Sequence, residues 1–207
     1  MFGGGTASAP SRGSHCMMLA ESDFVVLNAV HLKKMAAVAQ IAEVTELAAD
    51  DVARCIATAT EKGWLMDMGA DGVMPLEECI AQVTNHYREA YAALRSEAAL
   101  LDWYRNFESL NQRFIAAVTE WQESDGDERR ERRVLQAGGR LAKDIAQLVP
   151  LIPRYATYVR RLERSMERVD AGESDFICKP TVDSVHTVWF EFHEDILAVL
   201  DRARDTT

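Results

Sequence analysis

The residues with the most chemical capacity lie near the C-terminus, where a helix is expected from Thr181 to about Arg204. At about 100° per residue, Val182, Val185, His186, Trp189, Phe190, His193, Ile196, Leu197 and Leu200 share one face of that helix. Two imidazoles inside an apolar stripe need hydrogen-bond partners, because an unsatisfied polar group in a core costs roughly 1 to 3 kcal/mol. Asn111, near the edge of another stripe, is one candidate partner. The pair reads either as two satisfied structural histidines or as the polar edge of a pocket for a small anionic ligand, with Trp189 between them. A separation of seven residues sets the rings about 10 Å apart along the axis, too far for one tetrahedral ion. No metal and no other cofactor is therefore expected. Glu191, Glu194 and Asp195 are expected away from the histidine stripe, poorly oriented for acid–base work with it.

Arg154, Arg161 and Arg168 repeat every seven residues, with Arg164 beside them. Such a ridge reads as a solvated edge paired with Glu163 and Glu167. The sharper alternative is that one or two arginines, Arg161 among them, turn inward to clamp a carboxylate or phosphate. The chain has no P-loop, no G-x-S-x-G elbow and no H-E-x-x-H, which argues against an enzyme. Its four cysteines (Cys16, Cys55, Cys79, Cys178) form no C-x-x-C pair and read as idle thiols in a reducing compartment, hence a cytoplasmic protein.

The elements that position these residues follow from periodicity and turn chemistry. The expected fold class is mainly α: a leader over 1–21, a small winged helix-turn-helix domain over 22–76, and an antiparallel helical bundle over 77–207. In the front part, Ser22 and Asp23 can cap a first helix carrying Phe24, Leu27, Val30 and His31. A second helix runs from Ala37 to Val44. A third starts at Ala49 with Val52, Ile56 and Ala59 inward and stops at Gly63, suited to a left-handed cap. Trp64 to Met68 and Val73 to Leu76 then flank Gly69 to Gly72 as a hairpin. Behind it, a helix from Glu77 to about Arg95 continues toward Gln122, with Leu100, Trp103, Phe107, Leu110, Phe114, Val118 and Trp121 at three- and four-residue steps. The charged run from Glu123 to Arg133 reads as a loop, and Gly138 and Gly139 weaken the next helix without ending it. Pro153 opens a helix bearing Tyr155, Tyr158, Leu162, Met166 and Val169, which Gly172 closes.

Charge bears on partners. The formal net charge is -10. Residues 22–80 hold four cations and ten anions, so the front domain lacks the positive excess that nucleic acid demands. Were it to bind DNA as a transcriptional regulator, the third helix would present Arg54 and Thr58, with Lys62 nearby, beside Asp50, Asp51 and Glu61. Protein contact is the favoured use. No apolar run is long enough to span a membrane. A small carboxylate or phosphate, a protein partner and a second copy of the chain remain the expected partners.

Trp121-Gln122, the run Leu151 to Arg161 with Tyr155 and Tyr158, and above all Asp183, His186, Trp189, Phe190, Glu191, His193, Glu194 and Asp195 resemble the C-terminal region appended to some pyruvate, phosphate dikinase-like and other phosphoenolpyruvate-utilising proteins. The segment from Val30 to Leu76 is similar to MarR-type winged-helix domains. The resemblance covers most of Val30 to Arg204 and implies a regulatory or accessory module. It implies no dikinase activity, because the nucleotide-binding and barrel domains are absent. Gly4 to Ser8 is followed by Ala9 where those enzymes carry a phosphorylated histidine.

Overall fold

A computed structural model describes residues 18–124 and 126–203. Most of the leader, including Cys16 and the Gly4 to Ala9 run, lies outside the described residues. Mainly α is what they show. Helices α1 (Glu21–Lys33), α2 (Val38–Thr45) and α3 (Ala49–Glu61) precede strands β1 (Leu65–Asp67) and β2 (Val73–Pro75). Then come α4 (Glu77–Ala90), α5 (Ala98–Gln122), α6 (Glu128–Ala146), α7 (Ala156–Asp170), the single turn α8 (Asp175–Cys178) and α9 (Val185–Leu200).

Helix α1 buries Phe24, Leu27 and Val30 as their spacing requires. It starts one residue earlier than Ser22, however, with Ala20 at the N-cap and no side-chain cap. Glu21 and Asp23 instead favour its first turn through the helix dipole. Helix α3 buries Val52, Ile56 and Ala59, and Gly63 follows it at φ +71°, the left-handed stop its position suggested. Strands β1 and β2 pair antiparallel, with Met66 opposite Met74. Ala36, ahead of α2, exchanges both backbone hydrogen bonds with Val73, at 3.2 and 3.0 Å.

That bridge requires glycine at position 72. Gly72 sits at φ +100°, ψ -137°, and a Cβ there would collide with the Ala36 carbonyl. Gly72→Ala should cost about 1 to 3 kcal/mol. In urea unfolding it should lower the midpoint without changing the slope.

Elsewhere side chains redraw the expected boundaries. The helix anticipated from Glu77 toward Gln122 is two, separated by a short turn at Ala92–Ser96. Arg95 holds that turn, donating to the Tyr87 carbonyl at 3.1 Å and to the Val199 carbonyl at 3.3 Å. Both carbonyls belong to final helical turns; that of Tyr87 also accepts the capping Tyr91 N–H at 3.3 Å, and Arg95 supplies its second donor. The run from Glu123 to Arg133 is only half loop, because the Asp127 carboxylate accepts from the Arg130 backbone N–H at 2.9 Å and starts α6 at Glu128. Gly138 persists inside α6 for a packing reason: a Cβ there would stand 3.1 Å from Val185 Cγ1 and 3.3 Å from Met166 Sδ. Glycine thus lets α6 lie close to α7 and α9.

Helices α5 and α6 run antiparallel, since Trp103 donates to the Asp144 carbonyl at 2.7 Å while Glu120 pairs with Arg133. Pro153 opens a tight turn ahead of α7, and Gly172 follows that helix at φ +92°. Helix α9 is shorter than expected. Ser184 caps it, accepting from the Thr187 N–H at 3.2 Å, and Asp201 ends it in a left-handed conformation. It packs against α1, α4, α6, α7 and α8, inside a hydrophobic cluster that extends from Phe24 to Leu200.

Candidate functional site

Helix α9 sits at a different rotation from the one its histidines suggest. Its buried face is Val185, Val188, Trp189, Phe192, Asp195, Ile196 and Val199, whereas His186 and His193 are half-buried along one edge and Phe190 is exposed. The expectation that both imidazoles lie mid-stripe, with the carboxylates outside it, is therefore corrected. The helix is apolar nearly all round, so two rotations satisfy its hydrophobic pattern. The one adopted buries Glu191 and Asp195 because their partners wait on α1 and α7.

The edge bearing the histidines forms one wall of a groove of about 530 Å³ between α5 and α9. Asn111 and Trp189 lie at its base, and Phe114, Ile115, His186, Phe190 and His193 line it. Trp189 stacks on Phe114 with ring centroids 3.7 Å apart and planes within 3°. Its indole Nε1–H donates to Asn111 Oδ1 at 2.8 Å. Asn111, expected to serve an imidazole, serves the indole instead. His186 packs by Phe114 and His193 edge-on to Phe107, at centroid distances of 6.2 and 5.1 Å. Burial lowers the pKa of His186, so the ring is neutral at neutral pH and offers one N–H donor. The groove thus combines aromatic faces with amide and imidazole edges, while Glu108 adds a negative charge at its margin. Four of the five residues expected at a ligand site meet here.

Arg161, the fifth, does not. It does turn inward, as the sharper reading of the arginine ridge required, but the carboxylates it clamps belong to the chain. It donates to Asp183 at 2.9 and 2.6 Å and to Glu191 at 2.5 Å, and Lys33 of α1 approaches Glu191 at 2.9 Å. Arg154 does the same for Asp195, the most enclosed carboxylate, which is wholly inaccessible to solvent. The guanidinium grips both oxygens while donating its Nε–H to the Tyr91 hydroxyl at 2.8 Å. Asp195 also accepts from the Tyr155 and Tyr158 hydroxyls, both at 3.0 Å, and from Asn28 Nδ2 at 3.3 Å. The pKa of Arg154 stands well above its ordinary value: burial opposes the charge, and Asp195 more than offsets that. A bidentate pair with every lone pair engaged is the arrangement that makes a buried ion pair tolerable. Of the ridge, Arg164 and Arg168 keep partly exposed surface pairs, with Glu46 and Glu173 rather than Glu163 and Glu167, and neighbouring Arg160 shares Glu46.

The residues of the nucleic-acid alternative gather at the other end. Arg54, Thr58 and Lys62 line a cleft between α1 and α3 that also holds Asp23 and Asp51. Arg54 pairs with Asp51, and the Lys62 ammonium lies 4.6 Å from the Trp64 ring centre. Cys55, in the same cleft, is pushed up to about 12 and Cys79 to about 11, chiefly by burial, so neither is a thiolate at neutral pH. Among the described residues no group of three or more His, Cys, Asp or Glu could hold a metal, and no helix is long and apolar enough to cross a membrane.

A histidine the sequence did not single out sets an acid limit. His86 stacks on Phe24 at 3.8 Å, with both ring nitrogens buried and without a hydrogen-bond partner. Burial lowers its pKa, Arg154 adds to that, and Glu21 and Glu89 oppose it. The unfolded chain takes up this proton first, so the contribution to stability is complete above about 6.5 and is lost as pH falls below it. His86→Phe should raise stability by about 1 kcal/mol at pH 7. It should also flatten the decline between about pH 6.5 and pH 5 in thermal melts; an unchanged slope would count against this account.

No protein-family model, no curated protein and no solved structure matches the chain.

Proposed function

We propose that this is a non-enzymatic regulatory protein in which residues 22–76 act as a winged-helix contact module and residues 77–207 as a helical bundle that senses a small ligand. The ligand lies in the α5–α9 groove and has a flat apolar body with a hydrogen-bond-accepting, anionic head, as an aromatic carboxylate has. The observation that carries this reading is the groove's make-up. A stacked Trp189–Phe114 floor and exposed Ile115 and Phe190 suit an apolar body, and His186 and His193 flank it with polar edges. Its volume falls in the range of small-molecule sites, which are mostly apolar with a few fixed polar groups. The front module is read as a protein-contact surface because Arg54 is tied to Asp51 and Lys62 is drawn over Trp64, among carboxylates that repel phosphate.

The test is a titration of the protein with benzoate, phenyl phosphate and pyruvate. Benzoate should raise the melting temperature and shift the Ile115 methyl resonances, because a ligand bound only to the native state stabilises it. A His186→Ala/His193→Ala variant should bind at least about tenfold more weakly, a loss near 1.4 kcal/mol. A flat response to all three probes would remove the ligand-sensing half of the proposal.

A further inference from the structure

The α5–α9 groove is poor in what an anion needs. Its lining includes two imidazoles, two side-chain amides, Tyr104 and Glu108, but no lysine and no arginine. A carboxylate set against the Trp189–Phe114 stack would lose hydration without gaining a counter-charge, and Glu108 would repel it. Proteins do not hold isolated charges in such places; a proton is taken up instead. The groove has a group suited to accept it.

His186 stands between two cavities. On one side it lines the groove, where Tyr104, Glu108 and His193 are the other titratable groups. On the other it lines a cleft of about 740 Å³ between the front module and the bundle, where the charged groups are Lys33, Glu43, Asp71, Asp183 and Glu191. The Lys33 ammonium is met by Glu191 at 2.9 Å and Asp183 at 3.9 Å, so the cleft does not oppose a positive ring. In the free protein burial alone lowers the pKa of His186, and the ring is neutral at neutral pH. An anion laid against it reverses that balance, because an opposite charge within about 4 to 6 Å favours the protonated ring.

We infer, on the groove reading above, that an anion entering the groove binds together with one proton from solvent, taken up by a ring nitrogen of His186. The sign follows from linkage. Affinity for the anion rises as pH falls below the pKa of the ring in the complex, by up to about tenfold per unit. It levels off below the pKa of the free ring, which lies under the ordinary 6.5. Within that window anion and proton enter the equilibrium as a product, and the product is proportional to the concentration of the undissociated acid. The ligand class is therefore a weak aromatic acid, and the signal is its undissociated form, not its anion at any pH. The charge gained at His186 faces the cleft in which Lys33 of α1 meets Glu191 of α9, a contact between the front module and the bundle.

The test is a calorimetric titration of the full chain with benzoate, benzenesulfonate and benzamide at about pH 7.5, 6.5 and 5.5, in pairs of buffers that differ in ionisation heat. Benzenesulfonate keeps its charge throughout, so a proton taken up with it sits on the protein. Both anions should bind at least about tenfold more tightly at the lowest pH than at the highest, with uptake approaching one proton. Uncharged benzamide should show neither effect. In NMR the His186 ring signals should titrate at higher pH with saturating benzenesulfonate than without it, a comparison that needs no variant. His186→Gln should abolish the slope for both anions, and His193→Gln should retain it. Anion binding that is equally tight at all three pH values, with no proton taken up, overturns the inference and leaves the groove reading standing. A slope that survives His186→Gln overturns the assignment of the proton. Binding of benzamide alone, or of none of the three at any pH, removes the anion-sensing groove and this inference with it.

Discussion

Asp195→Ala should destabilise the protein by about 3 to 5 kcal/mol, a large share of the stability of an ordinary domain. The loss follows from what remains. Arg154, enclosed by Phe24, Tyr87, Tyr91 and Tyr155 at 4.9 to 5.6 Å from their ring centres, would keep its charge with no counterion. Tyr155, Tyr158 and Asn28 would lose their common acceptor. Asp195→Asn should recover little, because an amide preserves the shape and still leaves the guanidinium uncompensated. An Arg154→Met/Asp195→Leu variant should recover part of the loss, since both charges leave together while two phenolic hydroxyls and an amide stay unsatisfied. Equilibrium urea unfolding of the four proteins separates these terms. If Asp195→Ala came within 1 kcal/mol of wild type, the cluster would not be what joins α1, α7 and α9.

Trp189→Ala should cost about 3 to 5 kcal/mol by a different route. The indole is nearly inaccessible, stacks on Phe114, lies within 6.1 Å of Phe107 and bonds Asn111, so truncation opens a cavity and orphans an amide oxygen at once. Trp189→Phe keeps the stack and loses only the N–H, so its cost should be about 1 to 2 kcal/mol. Comparing the two in denaturant resolves packing from hydrogen bonding. Equal losses would mean that the ring's bulk contributes nothing beyond its N–H.

Local features were legible in the residues, and long-range pairings were not. The inward set Val52, Ile56 and Ala59, the stop at Gly63, the hairpin around Gly69 to Gly72 and the opening at Pro153 each depend on a few neighbouring side chains, and the structure has them. The gathering of Asn111, His186, Trp189 and His193 at one groove was also within reach, since each lies on or beside an amphipathic stripe. The rotation of α9 was not. A helix with apolar residues on nearly every side gives no unique facing direction, and the choice was made by Arg154, Arg161 and Lys33, distant in the chain. One signal was present: Arg154, in the turn ahead of α7, and Arg161 on α7 meet Asp195 and Glu191 in reversed chain order, as an oppositely directed α9 requires.

The bond from Asn28 to Asp195 spans 167 positions of the chain, and that from Lys33 to Glu191 spans 158. During vectorial synthesis, α1, the turn at Arg154 and α7 therefore leave the ribosome before the acids that neutralise their interior-facing cations and amide exist as polypeptide. Loop-closure entropy makes such distant pairings slow to form. Until α9 emerges, the earlier helices can assemble only loosely, with Arg154 and Arg161 still held in water, and the final helix acts as the keystone that sets them.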